Sequence, residues 1–121
     1  MRIGTDIVQI SRIENSLDRF GMRFKERFLT PYEIDRVATI ESLAGVWASK
    51  EAISKALGCG IGRDLAFGDI IIYKDTRGAP YFELTPEAQQ RYNIEESSLS
   101  ISHDGGFAIA VVALTISKGE L

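Results

Sequence analysis

The spacing of the apolar residues changes at about residue 69, and this change indicates the fold class. Before that point apolar residues recur every three or four positions, as in amphipathic helices, except in an alternating segment at residues 2–8. After it come short segments rich in β-branched and aromatic residues, at 69–75, 79–84, 98–103 and 107–116. Neighbouring strands joined by tight turns form antiparallel sheets, and the regular strand–helix alternation of a doubly wound fold is missing. We therefore predict an α+β fold in which an antiparallel sheet packs with helices.

A strand opens the chain and a helix follows it. The segment RIGTDIV at 2–8 alternates between two faces, which is typical of a strand. Ser11 and Glu14 have the spacing of a capping box, so we expect them to begin a helix whose apolar stripe extends to Phe20. Gly21 then ends that helix.

Two further helices are predicted before the change of spacing. Thr30 is followed by Pro31 and Glu33, which together indicate an N-cap, a first helical residue and a capping box. This helix is expected to continue to about Ile40. The next is expected from roughly Ser42 to Leu57, where glycines follow and end it.

The second half of the chain reads as two hairpins separated by a short helix. Gly78 lies in the turn between the first two segments of this half. Thr85 and Pro86 have the pattern that begins a helix, here PEAQQRY. The glycine turn at 104–106 joins the last two strands.

The composition describes one soluble globular domain, residues 1–121, with 45% hydrophobic and 26% charged residues. The longest apolar stretch, 107–114, is too short to span a bilayer, and the amino terminus lacks the pattern of a signal peptide. A single cysteine, Cys59, forms no internal disulfide and favours a reducing compartment, so we expect the cytoplasm. The net charge of −3 argues against nucleic acid as the main partner.

Positive charge is concentrated in one short segment. Residues 18–27, DRFGMRFKER, contain four cations and two anions. A basic patch on a mildly acidic protein suits an acidic partner or a phosphorylated ligand. Cations also favour the carboxyl end of a helix, so a solubilising helix end explains the segment equally well.

Asp6 and Glu51 are the carboxylates with the greatest chemical interest. Asp6 interrupts an apolar strand, which is costly unless it is hydrogen-bonded, paired (for example with Arg12) or bound to metal. Glu51 precedes Lys55 by four residues, and a simple surface pair at this spacing contributes only ~0.3–0.5 kcal/mol. Alternatively, the two carboxylates converge beside a phosphate and bind Mg²⁺, while Lys55 contacts the phosphate. The spacing leaves both interpretations open.

No other group of residues forms a recognisable catalytic set. The glycine-rich loop GCGIG at 58–62 follows a helix, whereas a dinucleotide fingerprint precedes one. It either lets backbone approach a ligand or provides a flexible helix exit. Nothing in the sequence places Cys59 beside His103 as nucleophile and base. His103 ends an apolar-faced strand before a glycine turn, where a histidine is more often structural than catalytic.

Five segments together resemble the bacterial holo-[acyl-carrier-protein] synthases. They are, in order, GTDIV, RFLTPYE, WASKEAISKALGCGIG, RGAPYFEL and SISHDGGFAIAVV. The resemblance covers nearly the whole chain, and its most specific part is KEAxxKAxG combined with an amino-terminal GxDI. It implies a small α+β domain of the 4′-phosphopantetheinyl transferase type, assembled as a homotrimer with active sites between subunits.

The resemblance also implies an activity. Enzymes of this family transfer the 4′-phosphopantetheine arm of coenzyme A to a serine of apo acyl carrier protein, and adenosine 3′,5′-bisphosphate leaves. By this resemblance Asp6 and Glu51 bind Mg²⁺, Lys55 contacts the phosphates, and His103 belongs to the coenzyme A site. Glu51 or a metal-bound water accepts the serine proton. The glycines expected near coenzyme A are Gly58, Gly60 and Gly62. The basic residues expected to receive the acidic carrier protein are Arg12, Arg19 and Arg23.

One position departs from the family pattern. Val46 precedes Trp47 where many members have arginine, so a phosphate contact is either absent here or supplied from elsewhere. Two rival functions remain at the level of sequence. A coenzyme A or nucleotide-binding module without catalysis needs no paired carboxylates, and a structural trimerisation domain explains neither Asp6 nor Lys55.

Overall fold

The computed structural model describes residues 1–117, and it confirms the predicted α+β fold. The elements in chain order are β1 (Arg2–Gln9), α1 (Ile10–Phe20), α2 (Met22–Phe28), α3 (Pro31–Ile34), α4 (Ile40–Ala56), β2 (Ile70–Lys74), β3 (Pro80–Leu84), α5 (Pro86–Tyr92), β4 (Ile94–Asp104) and β5 (Phe107–Ile116). A single 3₁₀ turn, Phe67–Asp69, precedes β2. None of the helices within residues 1–117 is long and apolar enough to cross a membrane. Residues 118–121 lie outside the described part, so a single domain over 1–121 stays a prediction.

The main sheet has three antiparallel strands in the order β1-β5-β4. The predicted glycine turn joins β4 to β5, and Gly105 and Gly106 adopt positive φ there. The register places Asp6 opposite Ala110 of the central strand, and Ala110 opposite Ile101 of β4. Asp6 is therefore on an edge strand, away from the ends of the sheet.

Helix α4 covers the inner face of this sheet. The predicted alternation of β1 is confirmed, because Gly4 and Val8 are buried whereas Ile3 and Ile7 are exposed. Small residues of β5, such as Ala110, are fully buried on the same inner face and allow the helix to approach closely. The sheet therefore has one face covered by α4 and one apolar face open to solvent.

The β2–β3 hairpin forms a second, two-stranded sheet, with Gly78 in its turn at φ 85° as predicted. Thr85 and Pro86 begin α5, also as predicted. The Thr85 hydroxyl does not cap the helix, however, but donates to Asp69 Oδ1 at 3.3 Å. This bond fastens the start of α5 to the 3₁₀ turn.

The predicted capping box at Ser11 and Glu14 is wrong. Helix α1 begins at Ile10 directly after β1, with Gln9 as an N-cap that makes no side-chain bond. The Ile10 N–H instead donates to the carbonyl of Gly106 at 2.9 Å. The neighbouring turn of the sheet thus satisfies a backbone group that the sequence pattern assigned to a side chain.

The boundaries between residues 30 and 42 also differ from the prediction. The capping box of Thr30 and Glu33 forms, but α3 ends at Ile34 and does not reach Ile40. The carbonyl of Glu33 accepts N–H bonds from the two residues after Asp35, which closes a turn. Helix α4 then begins at Ile40, where the Thr39 side chain accepts the Ser42 N–H.

Helix α2 was not predicted. Its two buried residues are Phe24 and Phe28. They are four positions apart on one helical face, and this spacing is the signal that could have identified the helix.

Candidate active site

A glycine brings the first strand into direct contact with the central helix. A Cβ atom at Gly4 would lie 2.0 Å from the Ala52 carbonyl oxygen and 2.8 Å from the Ala56 nitrogen. No side chain fits there without moving one of the two backbones. This contact lets Asp6, two residues along the same face of β1, reach the side chains of α4.

Asp6 forms an ion pair with Lys55 at this contact. Lys55 Nζ lies 2.9 Å from Asp6 Oδ1 and also donates to the Thr5 carbonyl at 3.1 Å. The Lys55 side chain is 53% exposed and that of Asp6 is 15% exposed, so solvent and ligands reach the lysine. Asp6 does not pair with Arg12, whose side chain lies exposed on α1.

Glu51 lies one turn before Lys55 and is partly buried. Burial raises the pKa of the Glu51 carboxyl above 4.5, the nearby negative charge of Asp6 raises it further, and Lys55 opposes both effects. The influence of Asp6 means that the two carboxylates lie within electrostatic range of each other. The structure thus brings together Asp6, Glu51 and Lys55, and the bonded pair of Asp6 and Lys55 is 49 positions apart in the sequence.

The carboxylates of Asp6 and Glu51 suit a magnesium ion whose other coordination positions are filled by water and a bound ligand. Within residues 1–117 no group of three or more histidine, cysteine, aspartate or glutamate side chains is arranged to hold a metal. Mg²⁺ does not require such a cage, because it is usually held by one or two carboxylates and completes its shell with water and phosphate oxygens. A cation between Asp6 and Glu51 would also relieve the repulsion that raises the Glu51 pKa. The residues present therefore suit Mg²⁺ bound together with a phosphate.

The raised pKa of Glu51 predicts a pH-dependent cost in stability. The folded state holds the Glu51 proton more tightly than the unfolded state, so stability decreases as pH rises from 4.5 through the raised pKa. Glu51→Gln should therefore increase the free energy of unfolding at pH 7 in metal-free buffer, and the gain should vanish below pH 4.5. Urea unfolding across this pH range measures it. Glu87→Gln on exposed α5 is the matched control, and the same pH profile for Glu51→Gln and wild type would contradict the prediction.

His103 is not part of this cluster within one chain. It lies on β4, the edge strand opposite β1, and pairs with Ala108, which in turn pairs with Val8. Two strand spacings, roughly 10 Å, separate β4 from β1. The His103 side chain lines a cavity of 510 Å³ between the amino-terminal half of α4 and the β2–β3 hairpin. It also borders a more open depression of 740 Å³ beside the glycine turn at 104–106.

The 510 Å³ cavity carries cationic and aromatic groups that were not predicted. Arg36 and Lys74 line it, and the Arg36 guanidinium lies 3.6 Å from the centre of the Tyr32 ring. Tyr73 packs against Tyr32 with ring centres 5.0 Å apart. Val46, the position that departs from the family pattern, lies in the same wall.

The glycine loop follows the carboxyl end of α4. Gly58 and Gly60 adopt positive φ, whereas Gly62 does not. Added Cβ atoms at Gly60 and Gly62 would meet open space, so this part of the loop is accessible to a ligand. Arg2, which sequence reasoning missed, donates to the Leu57 carbonyl at 3.3 Å and caps the end of the helix.

The three predicted docking residues are all exposed. Arg12 and Arg19 are seven residues apart and lie on one side of α1, and Arg23 follows on α2. Phe20 and Met22, exposed by about half, lie in sequence between Arg19 and Arg23. We call these five residues the basic surface. Its combination of charge and apolar anchors is typical of a protein-binding site.

Known proteins that are similar to this chain in sequence and in fold belong to one family. Residues 2–112 match the model of the 4′-phosphopantetheinyl transferase superfamily. The holo-[acyl-carrier-protein] synthase of Sulfurovum sp. is 60% identical over 94% of this chain and 96% of that protein. This chain belongs to the holo-[acyl-carrier-protein] synthases of that superfamily.

Solved structures support the same assignment. The holo-[acyl-carrier-protein] synthase of Helicobacter pylori, solved in complex with coenzyme A, is 52% identical and superposes with a TM-score of 0.90 over 93% of this chain and 99% of that one. The synthase of Neisseria meningitidis is 35% identical, with a TM-score of 0.85 over 94% of this chain and 97% of that one. The chain is therefore a transferase, and the predicted family and enzyme class are confirmed.

Proposed function

We propose that this enzyme transfers 4′-phosphopantetheine from coenzyme A to a serine of apo acyl carrier protein in a Mg²⁺-dependent reaction. The observation that carries the proposal is the cluster of Asp6, Glu51 and Lys55 where β1 meets α4. A module that only bound nucleotide would not need two carboxylates beside an accessible lysine. A trimerisation domain would need none of the three.

In the proposed reaction one P–O bond forms and one breaks. The serine oxygen bonds to the phosphorus that carries pantetheine, and the bond from that phosphorus to the bridging oxygen of the diphosphate breaks. The electron pair leaves with adenosine 3′,5′-bisphosphate. The enzyme's task is to hold the reacting groups in line and to neutralise charge as it moves to the leaving group.

Asp6 and Glu51 would hold the magnesium ion. When bound, Mg²⁺ neutralises charge on the transferring and leaving phosphates. Lys55 is accessible enough to exchange its contact with Asp6 for one with a phosphate oxygen. A lysine ammonium suits this role because it is a compact charge on a flexible chain. The open glycine loop after α4 provides space for the diphosphate beside these side chains.

Glu51 is also the residue best suited to accept the serine proton. A bound metal would offset the repulsion from Asp6 that raises the Glu51 pKa, so this role rests on where the carboxylate lies. Its position on a helix packed by small residues, among them Ala48 and Ala52, keeps the carboxylate in a defined place. The proton thus leaves the serine as the oxygen attacks phosphorus.

The cavity beside the hairpin suits the nucleotide end of coenzyme A. Its aromatic residue Tyr32 and its cations Arg36 and Lys74 can meet a base and a 3′-phosphate. Val46 contributes no charge to this wall, so Arg36 and Lys74 would supply the phosphate contact there. His103 adds a further polar group at the rim.

We further propose a homotrimer with active sites between subunits. The outer face of the sheet carries Ile3, Ile7, Ile109 and Val111, which are between 39% and 68% exposed. Ile7 and Ile109 are cross-strand partners, so these residues form a continuous apolar patch of the kind that marks an interface. His103 lies on the opposite edge strand from Asp6, and an assembly would let His103 of the partner subunit complete the site.

The basic surface is the proposed docking site for the acidic carrier protein. Reversing Arg19 and Arg23 to glutamate should raise the apparent KM for the carrier protein by about tenfold or more, because charges at the rim of an interface act through steering and association rate. The KM for coenzyme A should change little. The wild-type reaction should weaken with added salt, over a screening length of ~8–10 Å. Steady-state kinetics with both substrates across a salt series measure these effects.

The matched control for this double reversal is Lys74→Glu, which adds the same kind of charge change at the nucleotide cavity. It should affect the KM for coenzyme A instead. Unchanged carrier-protein kinetics in the Arg19→Glu, Arg23→Glu variant would show that the carrier protein docks elsewhere.

The whole proposal is tested by intact-mass spectrometry. Apo acyl carrier protein incubated with the enzyme, coenzyme A and Mg²⁺ should gain the mass of one phosphopantetheine group, and chelation of the metal should prevent the gain. An unmodified carrier protein in the complete mixture would contradict the proposed function.

We expect the reaction in the cytoplasm, which suits a chain whose one cysteine is unpaired.

A further inference from the structure

A buried ion pair connects α4 to four other parts of the fold. The side chains of Lys50 and Glu33 are 0% and 1% exposed, and Lys50 Nζ lies 2.7 Å from Glu33 Oε1. Lys50 immediately precedes Glu51 in the sequence. Neither member of the pair hydrogen-bonds to Asp6 or Lys55, although Glu33 also borders the 510 Å³ cavity.

Every polar atom of the pair has a partner. Lys50 Nζ donates to the Phe28 carbonyl at 2.7 Å and to the Phe67 carbonyl at 3.1 Å, which with Glu33 uses its three donors. Glu33 accepts the Thr30 N–H at Oε1 and the Ile72 N–H at Oε2. The pair therefore joins α4 to the end of α2, the start of α3, the 3₁₀ turn and β2.

Stability alone does not explain such a pair. Removing two charges from water is costly, and apolar residues of similar volume often stabilise a core as well or better. Burial lowers the pKa of the Lys50 ammonium, against the opposing effect of the Glu33 carboxylate. A buried ionic group is better explained when it selects one packing arrangement of the chain over its alternatives.

The rotation of helix α4 about its own axis must be fixed by something other than an apolar face, because α4 has no single apolar face. Eleven of its 17 residues are buried, and they lie on all sides of the helix. Small residues that permit close packing are also distributed around it: Ala44, Gly45, Ala48, Ser49, Ala52 and Ala56. The apolar pattern therefore does little to fix the rotation of α4 about its own axis. The ammonium of Lys50 does fix it, because it must reach three acceptors on separate elements.

We propose that Lys50 and Glu33 are positioning residues that set the rotation of α4 so that Glu51 and Lys55 face Asp6. Successive helical residues are rotated by about 100°, so directing Lys50 toward α2, α3 and the 3₁₀ turn directs Glu51 toward β1. An error in this rotation would displace both Glu51 and Lys55 from Asp6. The proposal rests on the proposed function for its kinetic consequence, but not for its structural one.

The test compares Lys50→Met with the double variant Glu33→Gln, Lys50→Met. The double variant leaves no unpaired buried charge. It can therefore be assayed even if the single variant fails to fold. Per folded molecule, kcat should fall by about ten- to a hundredfold, since misplacement of reacting groups by about 1 Å has effects of this size. The KM for the carrier protein should stay within about twofold, because the basic surface is unaltered.

Two controls separate positioning from general destabilisation. Ser49→Ala removes a buried side chain on the same turn that bonds only to its own helix, through the Gly45 carbonyl. Leu114→Ala lowers stability from the far end of β5, outside the network. Both should keep the wild-type kcat per folded molecule. A similar loss of kcat in Leu114→Ala, or a wild-type kcat in the double variant, would overturn the proposal.

A crystal structure of the double variant provides a readout that does not depend on activity. The Lys55 Nζ–Asp6 Oδ1 distance, 2.9 Å in the wild type, should increase beyond hydrogen-bonding range. An unchanged distance would overturn the proposal even if kcat fell. If the wild type itself transferred no phosphopantetheine, the proposed function would fail, and this distance would still decide whether the pair positions α4.

Discussion

Replacing Asp6 or Glu51 by alanine is expected to lower kcat by about two to three orders of magnitude while the protein stays folded. Each variant removes half of the carboxylate pair that suits Mg²⁺, and the remaining carboxylate holds the ion less well. Lys55→Ala should have a smaller effect, about tenfold, because it would remove one point charge from the phosphates and leave the two proposed metal ligands. Single-turnover transfer at several Mg²⁺ concentrations measures all three variants.

The pKa of Glu51 allows a separate check that the fold is retained. Because the charged form of Glu51 is disfavoured in the folded state, its removal should stabilise the metal-free protein at neutral pH while activity is lost. Glu87→Ala removes an exposed carboxylate from α5 and should preserve activity. Full activity of Asp6→Ala or Glu51→Ala at limiting Mg²⁺ would refute the assignment of that residue as a metal ligand.

Placing glutamates at Ile7 and Ile109 is expected to convert the proposed trimer to monomers and to abolish transfer. These residues face each other across β1 and β5 on the exposed side of the sheet, so two charges would lie together in the proposed apolar interface. The mass should fall to that of one 13.4 kDa chain. Light scattering coupled to size exclusion measures this directly.

The control for the assembly variant is Tyr81→Glu, which adds the same charge at an exposed aromatic residue of the hairpin and should leave the mass unchanged.

Mixing subunits that carry different substitutions provides a second measurement. Subunits with Glu51→Ala and subunits with His103→Ala, each weakly active alone, should recover activity when they exchange into one assembly. A monomeric wild type, or no recovery after exchange, would contradict active sites formed between subunits.

The sequence identified the elements whose signals are local. Alternation in RIGTDIV, the glycine at position 78 and the Thr85–Pro86 pair each depend on a few neighbouring residues, and the structure has a strand, a turn and a helix at those places. The boundaries of α3 and α4 were wrong because backbone bonds to Glu33 closed a turn that no residue pattern marks. Local signals thus predicted element types better than element ends.

The candidate site was predictable in its residue types but not in its contacts. Asp6 was notable because a carboxylate in an apolar strand is costly, whereas its partner Lys55 is 49 positions away and only the close approach at Gly4 brings the two together. The pair of Lys50 and Glu33 was missed for a different reason. Glu33 already had a local explanation in its capping box, and one of its oxygens also accepts from Lys50. Such dual use of a side chain cannot be read from spacing.

The most direct test of joint metal and substrate binding at Asp6 and Glu51 is titration calorimetry of coenzyme A with and without Mg²⁺. We predict that Mg²⁺ strengthens the binding of coenzyme A to the wild type by at least about tenfold, a coupling of ordinary size for two ligands that share a site. The double variant Asp6→Ala, Glu51→Ala should bind coenzyme A equally with and without the metal. The same affinity in the wild type under both conditions, or an equal gain in the double variant, would contradict a metal site formed by these two carboxylates.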